Sequence, residues 1–587
     1  MIALLVGLLG CGADDPPVAL SPPTAVVDTS SAVVGELSVV DRASAPVVQD
    51  DAFGSFKRGR GCTVSDLDLD GDLDLVLANP ADTSYVLLND GSGGFAAGPV
   101  LTSEELVWAV SAADLDGDGD EDLFLAVGGL EGLGFDRLLR NDLVETGRLG
   151  FTDVTASAKL AGPAAFDPRI EGPVPVASLG GHWVDVDGDA DLDLYVDTTP
   201  WPFLAADEVP EQSVIGRNLL WRNDGLVFTE VAAELGLQGQ QSSRYSSWLD
   251  IDHDGDLDLL ENNMNQRNVL WRNDGGRFTD VTAEWSLGDG DLGYPLESFA
   301  SAAADVNLDG WDDLVLFVRG YATEGPYQLG HTLLLNAAGQ GFVDATEAAN
   351  LNDPFYSGFR DHLNNGVMGS TLRDLTGEGI PDLFGGNGGP GAGYPNMLAV
   401  ATALQPVDFG APVGVLPVPV YTDASALIQF PAEELPGSQG AYPDYPYRTH
   451  AGCAADLSGD GAVELYVMNG GMSWVGGDAV QEPNRWFEVQ SDLPRRWLEV
   501  ALQGDGERVP FSPFGARLEA RVRDADGGER VVTGALQSLS GFAAQHGTVV
   551  HLGLGDAASL EELVVTWPDG AQTRHTPGLD QRVTLSR

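Results

Sequence analysis

The stretch "SDLDLDGDLDLVLAN" places Asp66, Asp68, Asp70, Asp72 and Asp74 at alternate positions. Carboxylates this close repel one another across a compact loop. The arrangement returns six more times: "DLDGDGDEDLFLAV" from Asp114, "DVDGDADLDLYVD" from Asp185, "DIDHDGDLDLLEN" from Asp250, "DVNLDGWDDLVLFV" from Asp305, "DLTGEGIPDLFGG" from Asp374 and "DLSGDGAVELYVM" from Asp456. Counting the first acid as position 1, each copy has an oxygen-bearing side chain at 3, an acid at 5, an acid at 9 and Leu at 10. Position 6 is Gly in every copy but the third, where Ala190 stands and a strained turn is expected. This donor set fits a hard dication: Ca²⁺ takes about six to eight oxygens at roughly 2.3–2.6 Å in tolerant geometry, and it would cancel the repulsion the loop builds up.

An EF-hand needs a bidentate Glu at position 12 and flanking helices. Only the fourth copy has that Glu, Glu261. The residues after each loop ("LDLVLA", "EDLFLAV", "LDLYV", "DDLVLFV") are short and rich in β-branched and aromatic types, so each loop joins two strands.

The elements that must position these loops repeat with them, at spacings of 48, 71, 65, 55, 69 and 82 residues. "LLNDGSGGF", "LLWRNDGLVF", "VLWRNDGGRF" and "LLLNAAGQGF" are hairpins, with Asn-Asp-Gly supplying the positive φ angles in three of them. "FTDVTASAKL", "FTEVAAELGL", "FTDVTAEWSL" and "FVDATEAANL" follow. Four strands per unit and seven units predict an all-β, seven-bladed β-propeller. "LSVVDRASAP" (37–46) resembles the fourth-strand element yet precedes the first loop, so it is expected to complete the last blade and close the ring.

The loops resemble FG-GAP/VCBS repeats, the propeller type of integrin α-subunits. The resemblance implies calcium ligands at Asp66, Asp68, Asp70 and Asp74; Asp114, Asp116, Asp118 and Asp122; Asp185, Asp187, Asp189 and Asp193; Asp250, Asp252, Asp254 and Asp258; and Asp305, Asn307, Asp309 and Asp313. In the sixth copy it implies Asp374, Thr376, Glu378 and Asp382, and in the seventh Asp456, Ser458, Asp460 and Glu464. A neutral hydroxyl at position 3 makes these last two sites weaker. Up to seven Ca²⁺ ions are expected.

After about residue 485 the loops stop and six strand-like runs predict a small antiparallel sandwich. "FGARLEARV", "SLSGFAAQH", "VVHLGLGDAASLEELVVTWPDG" and "QRVTL" resemble the ASPIC/UnbV domain, found in bacterial secreted proteins and in relatives of cartilage acidic protein. The expected organisation is a signal segment over 1–11, a tether over 12–36, the propeller over 37–484 and the sandwich over 485–587. "LLGC" ending at Cys11 resembles a bacterial lipobox, which implies lipid attachment there and an exported, envelope-anchored protein.

A net charge of −59 with two lysines, Lys57 and Lys159, excludes a nucleic-acid partner, which needs clustered cations. Three cysteines are too few for a disulfide scaffold. Cys62 and Cys453 precede the first and seventh loops, in blades that adjoin once the ring closes. They lie four and three residues before their loops, a parity that sends the side chains to opposite faces and favours two buried thiols over a bridge. His182, His450, His546 and His551 form no metal-binding or catalytic spacing and read as structural. "GMSWVG" is not a nucleophile elbow. Residues 386–455 read as a Gly-, Pro- and Tyr-rich insertion, a candidate recognition surface beside Trp201 and Trp474. The expectation is a monomeric, non-catalytic, calcium-binding surface protein whose partner is an extracellular protein or polysaccharide. Two alternatives stand beside it: a polysaccharide lyase or hydrolase on a propeller scaffold, and a purely structural envelope protein.

Overall fold

The computed structural model describes residues 37–41, 59–129, 133–160, 176–199, 217–237, 243–263, 266–285, 287, 298–317, 331–351, 367–388, 396–428, 449–470, 484–491 and 494–587. Cys11, the tether, Trp201, Trp474 and "GMSWVG" lie outside the described residues.

The chain is all-β, and seven sheets carry the seven acidic loops. In each, the first strand runs into the loop and the position-9 acid opens the second strand. The first strands are Gly61–Ser65, Val107–Ala113, Ser178–Val184, Ser247–Leu249, Ala300–Ala304, Val367–Arg373 and Thr449–Ala455. The second strands are Asp74–Ala78, Asp122–Val127, Asp193–Thr198, Asp258–Glu261, Asp313–Phe317, Asp382–Asn387 and Glu464–Asn469. Most of these residues are buried on both faces, which explains why they read as continuous apolar runs rather than alternation. First strands of consecutive sheets lie side by side in sheets one to three and four to seven, and that of the first sheet also meets that of the seventh. Hydrogen bonds join them: Thr63 Oγ1 donates to the Val110 carbonyl, and Thr371 Oγ1 to the Gly452 carbonyl at 2.6 Å.

Ring closure follows the expectation. Ser38–Asp41 pairs antiparallel with Arg485–Gln490, the third strand of the seventh sheet. That strand also moves the propeller past residue 484, into the stretch assigned to the C-terminal unit. The expected insertion at 386–455 is corrected in part. Met397–Asp408 and Val415–Asp423 are the third and fourth strands of the sixth sheet, paired in a long hairpin. They escaped the repeat pattern because they lack the Asn-Asp-Gly turn and the first of them runs for 12 residues.

The cysteine expectation is also corrected: Cys62 and Cys453 form a disulfide, with Cα atoms 6.0 Å apart, inside the usual range for a bridge. Stacked blades present the front of one sheet to the back of the next, so residues that meet across the seam must lie on opposite faces of their own sheets.

The C-terminal unit packs two sheets. One has the order Val549–Gly555, Arg496–Gln503, Gln581–Ser586; the other Glu529–Ala535, Arg517–Asp524, Ala557–Thr566, Gln572–His575. Arg496–Gln503 and Gln581–Ser586 run parallel, a departure from the all-antiparallel expectation. Strand Arg517–Asp524 alternates buried and exposed residues, as a sandwich strand should.

This unit sits on the loop-bearing face and sends residues 538–546 into the middle of the ring. Phe542 is fully buried, with ring centroids 4.2 Å from Tyr245, 5.5 Å from Phe299, 6.3 Å from His450 and 6.4 Å from Trp108. Those four partners come from sheets four, five, seven and two. Ala544–Gln545 adds a parallel strand beside Cys62–Thr63 of sheet one. Ser538 Oγ accepts the Trp183 N–H of sheet three at 2.9 Å. Gly541 lies so close to sheet six that a Cβ there would stand 2.1 Å from the Ser370 carbonyl oxygen. One segment therefore touches all seven sheets.

Candidate metal centres on the loop face

Each loop is held by its own acids. Asp114 accepts N–H groups from Gly117 (2.8 Å) and Gly119 (3.1 Å), Asp185 from Gly188 (2.8 Å) and Ala190 (3.0 Å), and Asp305 from Gly310 (2.8 Å). At position 5, Asp70, Asp118, Asp189, Asp254 and Asp309 each accept the N–H two residues on, at 3.0 Å. These bonds wind the chain so that successive carboxylates converge. The winding needs positive φ at position 6, and Ala190 adopts φ 73° where its counterparts are Gly, so the expected strain is present.

Position 9 has a second role that the sequence reading missed. Asp74 accepts from the Leu67 N–H (3.0 Å) and the Asn89 N–H (2.9 Å). Asp258 does the same with Ile251 and Asn273, both at 2.8 Å, and Asp313 with Val306 (3.1 Å) and Asn336 (2.8 Å). In blades one, two, four and five the turn Asn then latches the neighbouring blade, whereas Asn223 Nδ2 of blade three donates to the Leu192 carbonyl of its own loop at 3.1 Å. Asn89 Nδ2 donates to the Leu457 carbonyl (2.7 Å), Asn141 Nδ2 to Leu67 (3.0 Å) and Asn336 Nδ2 to Ile251 (3.0 Å), always at position 2 of the preceding loop. The signal is the Asn that opens the hairpin turn in five of the blades, Asn89, Asn141, Asn223, Asn273 and Asn336.

In four loops three of the expected ligands gather. Carboxylate oxygens of Asp66, Asp68 and Asp70 lie within 4.8 Å of one another, as do those of Asp114, Asp116 and Asp118, of Asp185, Asp187 and Asp193, and of Asp250, Asp252 and Asp254. Several of these oxygens are buried without a hydrogen-bond partner: Asp66 Oδ1, Asp68 Oδ1, Asp118 Oδ2, Asp250 Oδ1 and Asp252 Oδ1. A buried, unpartnered carboxylate oxygen is costly unless a cation faces it. The residues present therefore fit Ca²⁺. In the fifth loop Asn307 Nδ2 donates to Asp309 (3.1 Å), and its side-chain oxygen accepts the Asp309 N–H (3.1 Å).

The electrostatics agree. Burial first, then neighbouring carboxylates, pushes Asp66, Asp114, Asp185 and Asp250 up to about 6. Burial likewise pushes Asp74 up to about 7, Asp122 and Asp193 to about 8, and Asp258 to about 9. Without a cation these groups resist ionisation.

The sixth loop differs. Thr376 Oγ1 donates to Asp382 (3.1 Å), and Asp374 takes N–H bonds from Gly377 (2.7 Å) and Gly379 (2.6 Å) while buried against Gly553 of the C-terminal unit. In the seventh, Ser458 Oγ and Glu464 Oε1 are buried and unpartnered, and His551 Nε2 lies 3.1 Å from the Gly461 carbonyl. Glu261, the one position-12 acid, is no ligand of its loop: it accepts from Tyr195 (2.8 Å), Trp271 (2.9 Å) and Asn218 (3.0 Å) between blades three and four.

His182, His450 and His546 are buried, and His551 is half-buried. His182 Nε2 is 3.0 Å from buried Asp197, and His546 Nδ1 accepts the Ala454 N–H at 3.0 Å. Arg60 Nη1 donates to a ring nitrogen of His450 at 3.0 Å. Among the described residues no helix is long and apolar enough to cross a membrane.

Two family profiles match this chain: "FG-GAP-like repeat" over residues 66–125 and 250–316, and "ASPIC and UnbV" over 512–587. The chain carries both. It is 30% identical to cartilage acidic protein 1 of Xenopus tropicalis over 24% of this chain and 19% of that protein. It is 26% identical to the Homo sapiens protein of the same name over 41% of this chain and 38% of that protein. It thus spans well under half the length of these relatives. Among solved structures, YCF48 bound to D1 peptide aligns at 9% identity and TM-score 0.36, covering 78% of this chain and 95% of that one.

Proposed function

We propose that this protein is an exported, non-catalytic binding module whose propeller is set by calcium in the acidic loops, and which binds an extracellular protein or polysaccharide. One observation carries the reading. Unpartnered, buried carboxylate oxygens line loops one, two and four, on a ring whose centre the chain's own C-terminal segment fills. Export is supported by the Cys62–Cys453 bridge, since structural disulfides persist in oxidising compartments. Anchoring through a lipid on Cys11, with the chain otherwise monomeric at the cell surface, is the finer form of the proposal.

The alternative enzyme reading would be favoured by Arg, His and Tyr side chains converging in a pocket. Arg60, Arg244, Tyr245 and His450 do converge, but they are buried around Phe542, which favours binding over turnover. The test is capture of cell-envelope extract and purified polysaccharides on the immobilised chain starting after Cys11, in calcium and then in EGTA, with circular dichroism in parallel. A partner retained in calcium supports the proposal. No partner in either buffer, together with slow polysaccharide turnover, would overturn it.

A further inference from the structure

The second blade departs from the others at its hairpin turn. In blades three and four the position-7 acids, Asp191 and Asp256, accept the N–H of the turn glycines, Gly225 at 2.8 Å and Gly275 at 2.7 Å. In blade two the turn after Asn141 is expanded into a short helix, Leu143–Thr146. The Val144 N–H takes the glycine's place and donates to Asp120 Oδ2 at 2.8 Å. The same helix brings in Glu145, which has no counterpart in the tight Asn-Asp-Gly turns.

Oxygens of Asp118, Asp120 and Glu145 come within 4.8 Å of one another. Asp120 is 1% exposed, and its second oxygen, Oδ1, is buried with no hydrogen-bond partner. Asp118 Oδ2 is buried and unpartnered as well. A buried carboxylate oxygen with no donor to meet it, on a residue grouped with two further carboxylates, calls for a cation. Arg140 reaches Glu145 Oε1 at 3.4 Å and is itself paired with Asp142 at 2.7 Å.

We infer that blade two holds a second divalent-cation site, formed by Asp118, Asp120 and Glu145, beside the site of its own loop. Asp118 belongs to both sets and would bridge them through its two oxygens. The ligand is a hard divalent cation, because all three donors are carboxylates. This inference rests on the proposal that the acidic loops bind calcium.

The experiment is calcium titration of the metal-free full chain by calorimetry, with bound ions counted by equilibrium dialysis, for the wild type and for Glu145→Gln. Glu145 is partly exposed and holds only a surface ion pair, so the variant keeps the fold, which melting in EGTA checks. The expected result is one fewer bound calcium per chain in Glu145→Gln, with the remaining sites within about twofold of wild type. Asp120→Asn, which keeps an oxygen for the Val144 N–H, is expected to lose the same single ion. An unchanged count and unchanged affinities in Glu145→Gln would overturn this site alone. A wild-type chain that binds no calcium would overturn both this site and the loop reading.

Discussion

In loop one, Asp66 Oδ1 and Asp68 Oδ1 are buried and face no donor; in loop six the residue at the matching third position, Thr376, turns its hydroxyl onto Asp382. The two loops share a backbone path, with positive φ at Gly71 and at Gly379. They differ in charge and in cover. Loop one meets the C-terminal unit through Arg582, which donates to the Gly71 carbonyl. Loop six is pressed against it: the Gly555 N–H donates to the Gly377 carbonyl at 2.9 Å, and a Cβ on Gly553 would lie 2.0 Å from Asp374 Oδ2. One fold motif has thus been used in two ways. In loops one, two and four buried carboxylate oxygens are left without a donor, a place a cation could fill, and in the sixth the protein's own hydroxyl and the neighbouring unit close the polar balance.

The broadest way to break this comparison is chelation. Each loop held at a hundredfold over its Kd adds about 2.7 kcal/mol, so several occupied loops together dominate stability. EGTA is expected to lower Tm by more than any single substitution. The shift should depend on pH. Burial raises the folded-state pKa of Asp66 to about 6 and of Asp258 to about 9, against ordinary values near 4. The metal-free folded state therefore binds more protons than the unfolded chain, and its stability falls as pH rises from about 4 through these values. Stabilisation by calcium should accordingly be larger at pH 8 than at pH 5; the reverse order in melting curves would contradict the open-carboxylate account.

Phe542→Ala comes next. Truncating a fully buried Phe costs about 3–5 kcal/mol, and here the loss falls on the contact between the C-terminal unit and the ring. Limited proteolysis should cut between the two units sooner in the variant, in calcium as well as in EGTA. Equal protection in both proteins would show that the central segment does not fasten the unit.

Exchanging the third positions sharpens the comparison directly. Thr376→Asp should destabilise the calcium-free chain by about 1–3 kcal/mol, the cost of a buried unsatisfied group, with calcium restoring the loss. Asp68→Asn should instead weaken one calcium site without lowering the metal-free melting temperature. The smallest effect is that of Asn141→Ala. It removes the bond to the Leu67 carbonyl and should cost about 1 kcal/mol, read from chemical denaturation.

The loops were legible because the chemistry of a cation site is local: alternate acids, a position-6 glycine and a following strand lie within one short window. The closing strand was legible because Ser38–Asp41 repeats the pattern of the other outer strands ahead of the first loop. What escaped depends on contacts between blades or units. The Cys62–Cys453 bridge required the geometry of stacked sheets rather than parity within one. The sixth sheet hid its outer strands in a hairpin without the usual turn. "SLSGFAAQH" carried a family resemblance but nothing in its residues announced that Phe542 would reach the ring's centre. Asp120 and Glu145 are 25 residues apart in sequence, brought together only by the expanded turn at Leu143–Thr146.

The most direct measurement is an anomalous difference map, collected at long wavelength, from crystals grown in calcium. The account predicts peaks within the Asp66–Asp68–Asp70, Asp114–Asp116–Asp118, Asp185–Asp187–Asp193 and Asp250–Asp252–Asp254 clusters and none against Thr376 in loop six. Empty first loops, or a peak in loop six equal to theirs, would contradict it.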